Sequence, residues 1–170
     1  MSFQLKIKLE GLEEAFRNLA EFPRNLQGPM LRAAVRAAST PMLQRARMLC
    51  PVGDTGLLRK SLGRRFKTYR KNGVVAVYMG PRRGFKTIIN GRAVNPTNYA
   101  HLVEYGTSQH FLGKKGSKET GLLHPGARAR PFLRPAFDQT KGIAVEMFVQ
   151  KINEDMIAAC KKMVKQRKVA

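Results

Sequence analysis

The sequence predicts an α+β fold: an antiparallel sheet of about four strands, packed by N-terminal helices and a long C-terminal helix, with a protruding β-arm and a long basic loop. Three observations predict it. Apolar residues alternate at period two near the N-terminus, and Val74–Met79 is an apolar run of strand length. Apolar residues recur at helical spacing in two long stretches, one before Pro51 and one after Pro135. Turn signals at Arg70-Lys-Asn-Gly73 and Asn90-Gly91 separate the strand-like runs. The order strand, helices, strands, long helix is that of an α+β chain.

Phe3, Leu5, Ile7 and Leu9 alternate with Gln4, Lys6 and Lys8, which reads as a strand. After Gly11, Leu12, Phe16 and Leu19 stand at helical spacing, with Glu13 and Glu14 in the first turn, where the helix dipole favours acid. Pro23 ends this helix. A second helix is predicted from Pro29, with Leu31, Ala34, Val35, Ala38, Met42, Ala46 and Leu49 along one side. Pro41 should kink or split it, with Ser39 or Thr40 as a new cap, and Pro51 stops it. Residues 53–60 read as a loop, and 62–69 with 74–79 as a hairpin whose second arm is central in the sheet. Residues 85–96 form the β-arm. Tyr99–Glu104 fits a helical turn or a strand. The stretch 107–128 lacks periodicity and reads as the long loop. The last helix starts with Pro135 at its first position. Its apolar repeat runs from Ala136 through Thr140, Ile143, Phe148 and Ile152 to Val164, and a basic tail over 161–170 is expected to fray.

At 170 residues the chain is read as one domain, 1–170, with 43% apolar residues for its core. Its 32 basic and 11 acidic residues give a net charge of +21. Self-repulsion at that charge opposes compaction, so a polyanionic or acidic partner is expected. The charge is concentrated: residues 22–103 hold 16 Lys/Arg and one acid, Asp54. A solvated surface normally mixes signs. The unmixed stretch therefore nominates Arg64, Arg65, Lys67, Arg70, Lys71, Arg82 and Arg83 as residues facing DNA or an acidic partner. No base-reading motif accompanies them, so contacts would go to phosphates. No apolar run of membrane-spanning length occurs, so no membrane is expected, and the N-terminus lacks a signal-peptide core. Folding is therefore placed in a cytoplasm, with Cys50 and Cys160 as reduced thiols.

No catalytic constellation rises above background. Asp54-Thr55-Gly56 spells the aspartic-protease triplet, but its flanks read as helix end and turn. The plainer reading is a turn in which Asp54 accepts backbone N–H groups and Gly56 supplies positive φ. His101, His110 and His124 lack metal-ligand spacing. Gly113–Gly121 lacks the P-loop order. The chain is therefore expected to be no enzyme and to need no metal and no cofactor.

Three motifs stand out: Pro51-Val-Gly-Asp-Thr-Gly-Leu-Leu-Arg-Lys-Ser-Leu62, Tyr99-Ala-His-Leu-Val-Glu-Tyr-Gly-Thr107 and Ala129-Arg-Pro-Phe-Leu-Arg-Pro-Ala-Phe137. In this order they resemble the neck or tail-component family (head-tail joining, tail completion) of long-tailed double-stranded DNA bacteriophages. Pro51, Val52, Thr55, Gly56, Leu58, Arg59 and Ser61 match the first segment of that pattern. Tyr99, Ala100, Val103, Glu104, Tyr105, Gly106 and Thr107 match the second, and residues 131–137 the third. The polar arm near Asn90-Gly91 and the basic loop near Gly113 depart from it.

The resemblance implies a non-enzymatic virion protein, made and assembled in the host cytoplasm. It would form a homo-oligomeric ring in the neck, joining the portal side of the head to the tail tube. Its implied partners are portal, adaptor or stopper proteins, tail terminator or tail tube proteins, and double-stranded DNA in the lumen without sequence specificity. A sequence-independent nucleic-acid-binding protein of the nucleoid or ribosome is the alternative; it accounts for the charge and not for the motifs. The residues expected at subunit or motif contacts are Arg59, Glu104, Tyr105, Arg130, Phe132 and Arg134. Glu104, an isolated acid among basic segments, is expected to meet Arg59, Arg130 or Arg134. Phe132, Leu133 and Phe137 are expected to pack on the sheet of Val74–Met79 and the first strand.

Overall fold

The computed structural model describes residues 12–22, 24–69, 73–89, 91–111 and 123–167. It is a mixed α+β chain. Five α-helices are described: α1 (Leu12–Ala20), α2 (Arg24–Leu49), α3 (Leu57–Ser61), α4 (Ala100–Tyr105) and α5 (Leu133–Arg167). The strands are β1 (Leu62–Tyr69), β2 (Val74–Pro81), β3 (Thr87–Ile89), β4 (Arg92–Val94), β5 (His110–Phe111) and β6 (Leu123–His124).

The chain divides into two compact units, each with its own core. One comprises Met1–Met42, Phe66–Tyr78 and Thr140–Ala170. There α1, the first part of α2 and the later part of α5 bury Ala15, Leu19, Met30, Ala34, Phe148, Ile152 and Met156 against one another. Ala15 and Leu19 meet the core because residues four apart share a helix face. The Phe16 and Phe148 rings lie 5.7 Å apart, tilted by 45°. The second unit comprises Leu43–Arg65 and Met79–Gln139. Its core joins Leu43, Ala46 and Cys50 from the end of α2, Leu58 and Leu62, Ala100 from α4, and Phe132 and Ala136 at the start of α5.

Several element boundaries differ from those the sequence predicts. Helix α2 begins at Arg24, five residues before Pro29. Its first turn is held by Gln27, whose Nε2 donates to the Ala20 carbonyl at the end of α1 and to the Phe22 carbonyl beyond it, and by the packing of Leu26 and Met30. Pro41 does not split the helix. The Ser39 and Thr40 hydroxyls donate back to the Arg36 carbonyl, so neither residue starts a new helix. Helix α5 starts at Leu133, two residues before Pro135, for a reason that lies in the site below. Along α5, Ile143 and Val164 are exposed, and Met156 takes the core position.

Among the described residues the strands pair as three two-stranded sheets, β1–β2, β3–β4 and β5–β6, where the sequence predicts one sheet of about four. Strands β3 to β6, of two or three residues, offer too few ladder bonds to widen their own sheets. The strand predicted over 3–9 lies outside the described residues, as do Arg70, Lys71 and most of the predicted basic loop. Val74 and Tyr78 of β2 are exposed, so this strand is not buried on both faces. The β-arm is present as the β3–β4 hairpin, pairing Thr87 with Val94. The predicted loop 107–128 is not structureless at its base: Thr107 pairs with Ala127, and His110 with His124.

Candidate functional site

The three sequence motifs converge in the second unit. In the first, the turn after α2 is closed by Gly56 N–H donating to the Gly53 carbonyl at 2.9 Å. Gly56 has φ 58°, the left-handed region that favours glycine. The side-chain acceptor in this turn is Thr55 Oγ1, which receives Leu57 N–H at 3.3 Å, while Asp54 is exposed. Helix α3 then buries Leu57, Leu58 and Ser61 and exposes Arg59 and Lys60.

The second motif is introduced by Asn95, whose Oδ1 receives Thr97 N–H ahead of a 3-10 turn over Pro96–Asn98. Helix α4 follows and places Glu104 inside the unit, only 6% exposed. Gly106 ends it at φ 75° and ψ −177°. A β-carbon there would lie 2.6 Å from the Ala127 carbonyl oxygen and 2.8 Å from Ala129 N. Conformation and space both demand glycine, so Gly106→Ala is expected to destabilise by about 1–3 kcal/mol. Thermal melting checks this; a variant that melts with the parent would show that the 127–129 backbone yields freely.

The third motif enters α5 through the buried carboxylate. Glu104 Oε2 accepts the Phe132 and Leu133 amides at 2.8 and 3.0 Å, and Oε1 accepts the Arg134 amide at 3.0 Å. The first N–H groups of a helix have no intrahelical acceptor. Here Glu104 takes those of Leu133 and Arg134, and Pro135 has none to satisfy. A negative charge at a helix N-terminus is also favoured by the dipole. Helix α5 therefore starts where the carboxylate sits. Arg130 N–H donates to the Val103 carbonyl at 2.8 Å and aligns the approach.

The same motifs line an apolar groove of about 560 Å³, floored by Pro51, Val52, Leu57, Leu58, Leu102 and Val103. Arg128 and Arg130 border it, both exposed. The other residues predicted at contacts fall nearby: Arg59 and Arg134 are exposed, and Tyr105 is 79% exposed. Glu104 draws on backbone amides, a partner type that the residue pattern alone does not single out. Phe132 is fully buried, and its neighbours are mainly helical, with Met79 the β2 residue beside them.

The basic stretch is less uniform than its composition. Side chains alternate along a strand, so Arg65 and Lys67 share one face of β1 and the half-buried Arg64 lies on the other. Arg82 is engaged inside the second unit. Its Nη2 donates to the Lys60 carbonyl at 3.1 Å and its Nε to that of Ser61 at 3.3 Å, and its guanidinium lies 5.0 Å from the Phe85 ring centre. It thus satisfies carbonyls at the end of α3, as a cation at a helix C-terminus should. Arg83 is exposed. In the first unit Lys67 stands 4.6 Å over the Tyr69 ring, and the Tyr69 and Tyr78 hydroxyls lie 3.2 Å apart. The Tyr78 hydrogen bond, then Lys67, hold the Tyr69 phenol below its ordinary pKa.

The His110–His124 pair is invisible in the sequence, because the β5–β6 register creates it. The rings are 5.0 Å apart. His124 Nδ1 accepts the Gly126 amide, and His110 Nδ1 faces the Ser108 carbonyl, which assigns opposite tautomers to the two rings. Among the described residues no three His, Cys, Asp or Glu side chains gather as a metal-ligand set. Among them, too, no helix is long and apolar enough to cross a membrane. The Asn95 cap was legible in principle, since Asn-Pro before a short helix is a start signal. Compared with protein-family models, with curated proteins and with solved structures, the chain matches none.

Burial pushes the Cys50 thiol from an ordinary 9.0 up to about 11; Arg59 opposes the shift and Glu104 adds to it. Cys160 is exposed. At pH 8 iodoacetamide is expected to modify Cys160 and spare Cys50 until the protein unfolds, as peptide mass spectrometry would read. The raised folded pKa makes this contribution to stability complete below about pH 9 and lost as the pH rises through about 11. Cys50→Ala should remove that part of the alkaline decline. A decline unchanged in the variant would assign it to other groups.

Proposed function

We propose that this chain is a structural, non-enzymatic virion protein of a tailed bacteriophage, forming a homo-oligomeric ring in the neck between the DNA-filled head and the tail tube. The observation that carries the reading is the convergence of the three motifs. Residues 51–62, 99–107 and 129–137 are far apart in the chain, yet Leu58, Ala100 and Phe132 share one core. Glu104 of the second motif sets the start of the helix that the third begins. A pattern that makes one packed unit is a stronger basis for a family resemblance than three scattered segments. A net charge of +21 supports passage of DNA through a lumen without sequence readout. To the same proposal belong the sheet of about four strands, of which β1 and β2 would be two, and the portal-side and tail-side proteins as neighbours.

The test is composition and position. Mass spectrometry of purified virions, with microscopy of the neck, should find the chain as a ring between portal and tail tube. Virions that lack it would overturn the reading. Duplex binding that ignores sequence, with a log–log salt slope of about −0.9 per phosphate neutralised, is expected of a channel wall. In virion-free protein that slope would by itself fit the nucleic-acid-binding alternative, so the virion result decides between them.

A further inference from the structure

We propose that copies of this chain join head to tail, with α1 of one copy seated on the apolar groove of the next. The proposal rests on the ring reading above and names the two surfaces that would make the ring contact.

The groove is one half. Its floor is apolar, and two of its floor residues stay open to solvent, Val52 at 64% exposed and Leu102 at 40%. Arg128 and Arg130 border it, and no acidic residue lines it. Such a surface suits an apolar side chain flanked by carboxylates. A phosphate group offers nothing apolar to that floor.

Helix α1 is the other half. Residues 12–21 hold Glu13, Glu14 and Glu21 against Arg17, a local charge of −2 within a chain of +21. All three acids are exposed. The ion pairs found among the described residues join Lys151 to Glu154 and Asp155, and neither of these involves α1. Phe16, one helical turn from Glu13, remains 45% exposed at the edge of this face, with its ring also 5.7 Å from that of Phe148.

Electrostatics selects the pairing. Two copies at +21 repel over most approaches. An approach that sets an acidic helix against an arginine-bordered groove reverses the sign locally and fixes orientation. Two different surfaces of one chain make a heterologous contact, the kind that closes into rings.

The test uses the full-length chain and two charge-reversal variants, Glu13→Lys/Glu14→Lys and Arg128→Glu/Arg130→Glu. All four positions are exposed, and circular dichroism with melting verifies each fold. Light scattering and sedimentation read the assembled mass. The wild type should self-associate. Each variant alone should associate more weakly by more than about tenfold, since like charges then face each other. An equimolar mixture should regain assembly, because each variant's reversed surface meets its complement on the other. A monomeric wild type, a variant that assembles normally, or a mixture that stays dissociated would overturn the proposal. Should a variant misfold, a photo-crosslinking residue at Val52 in the otherwise native chain decides. Attachment to α1 of another copy supports the contact, and attachment elsewhere refutes it. Virion composition is independent of these results, so failure here leaves the neck reading to its own test.

Discussion

Glu104→Ala is expected to lower the stability of the protein by about 3–5 kcal/mol. The substitution strands the Phe132, Leu133 and Arg134 amides, which all donate to this carboxylate. A buried donor left without an acceptor costs about 1–3 kcal/mol, and these three sit at a helix start where no other backbone acceptor is in register. The loss of negative charge at the α5 N-terminus adds a smaller dipole contribution. Glu104→Gln separates the parts. It keeps one carbonyl oxygen but turns an NH₂ group toward amide donors, so it should recover only a minority of the loss. Urea denaturation with an unchanged m-value measures both variants. A Glu104→Ala loss below about 1 kcal/mol, the range of an ordinary exposed cap, would mean that water replaces the carboxylate and that the site is not sealed.

Phe132→Ala is expected to cost about 3–5 kcal/mol, the usual range for emptying a large aromatic site in a core. Phe132 is fully buried among Leu43, Ala46, Cys50, Leu58, Leu62, Ala100 and Ala136. Four of those neighbours are alanine or cysteine, short side chains that cannot swing into a cavity, so collapse around the gap is limited. Phe132→Leu should cost less, because most of the volume is kept. Both are measured as shifts in denaturation midpoint. If Phe132→Ala melts with the parent, the second unit lacks the core on which the convergence of the three motifs depends.

Much of the helical content was legible because it follows from periodicity. The repeats around Leu19, Ala34, Ala46 and Ile152 place those residues in the cores. The Asn90-Gly91 turn marks the β3–β4 arm. Positive φ at Gly56 follows from a turn that only glycine enters without strain. The boundaries were less legible, since they depend on side-chain partners that no local rule singles out. Pro29 and Pro135 read as helix starts by local rule, yet α2 begins at Arg24 and α5 at Leu133. Gln27 in one case and Glu104 in the other supply the hydrogen bonds that extend each helix past its proline.

For the candidate site, the sequence by itself determined the composition: three motifs, a lone acid among bases, and a charge that demands an acidic or polyanionic neighbour. The order of the residues carries that information without reference to space. Tertiary structure decided what each residue does. It made Glu104 an acceptor for main-chain amides and gave Arg82 the carbonyls at the end of α3. It paired His110 with His124 across a hairpin. The physical reason is common to all three. Hydrogen bonds and strand register are satisfied by whichever group the folded backbone brings within reach, and local spacing does not encode that proximity.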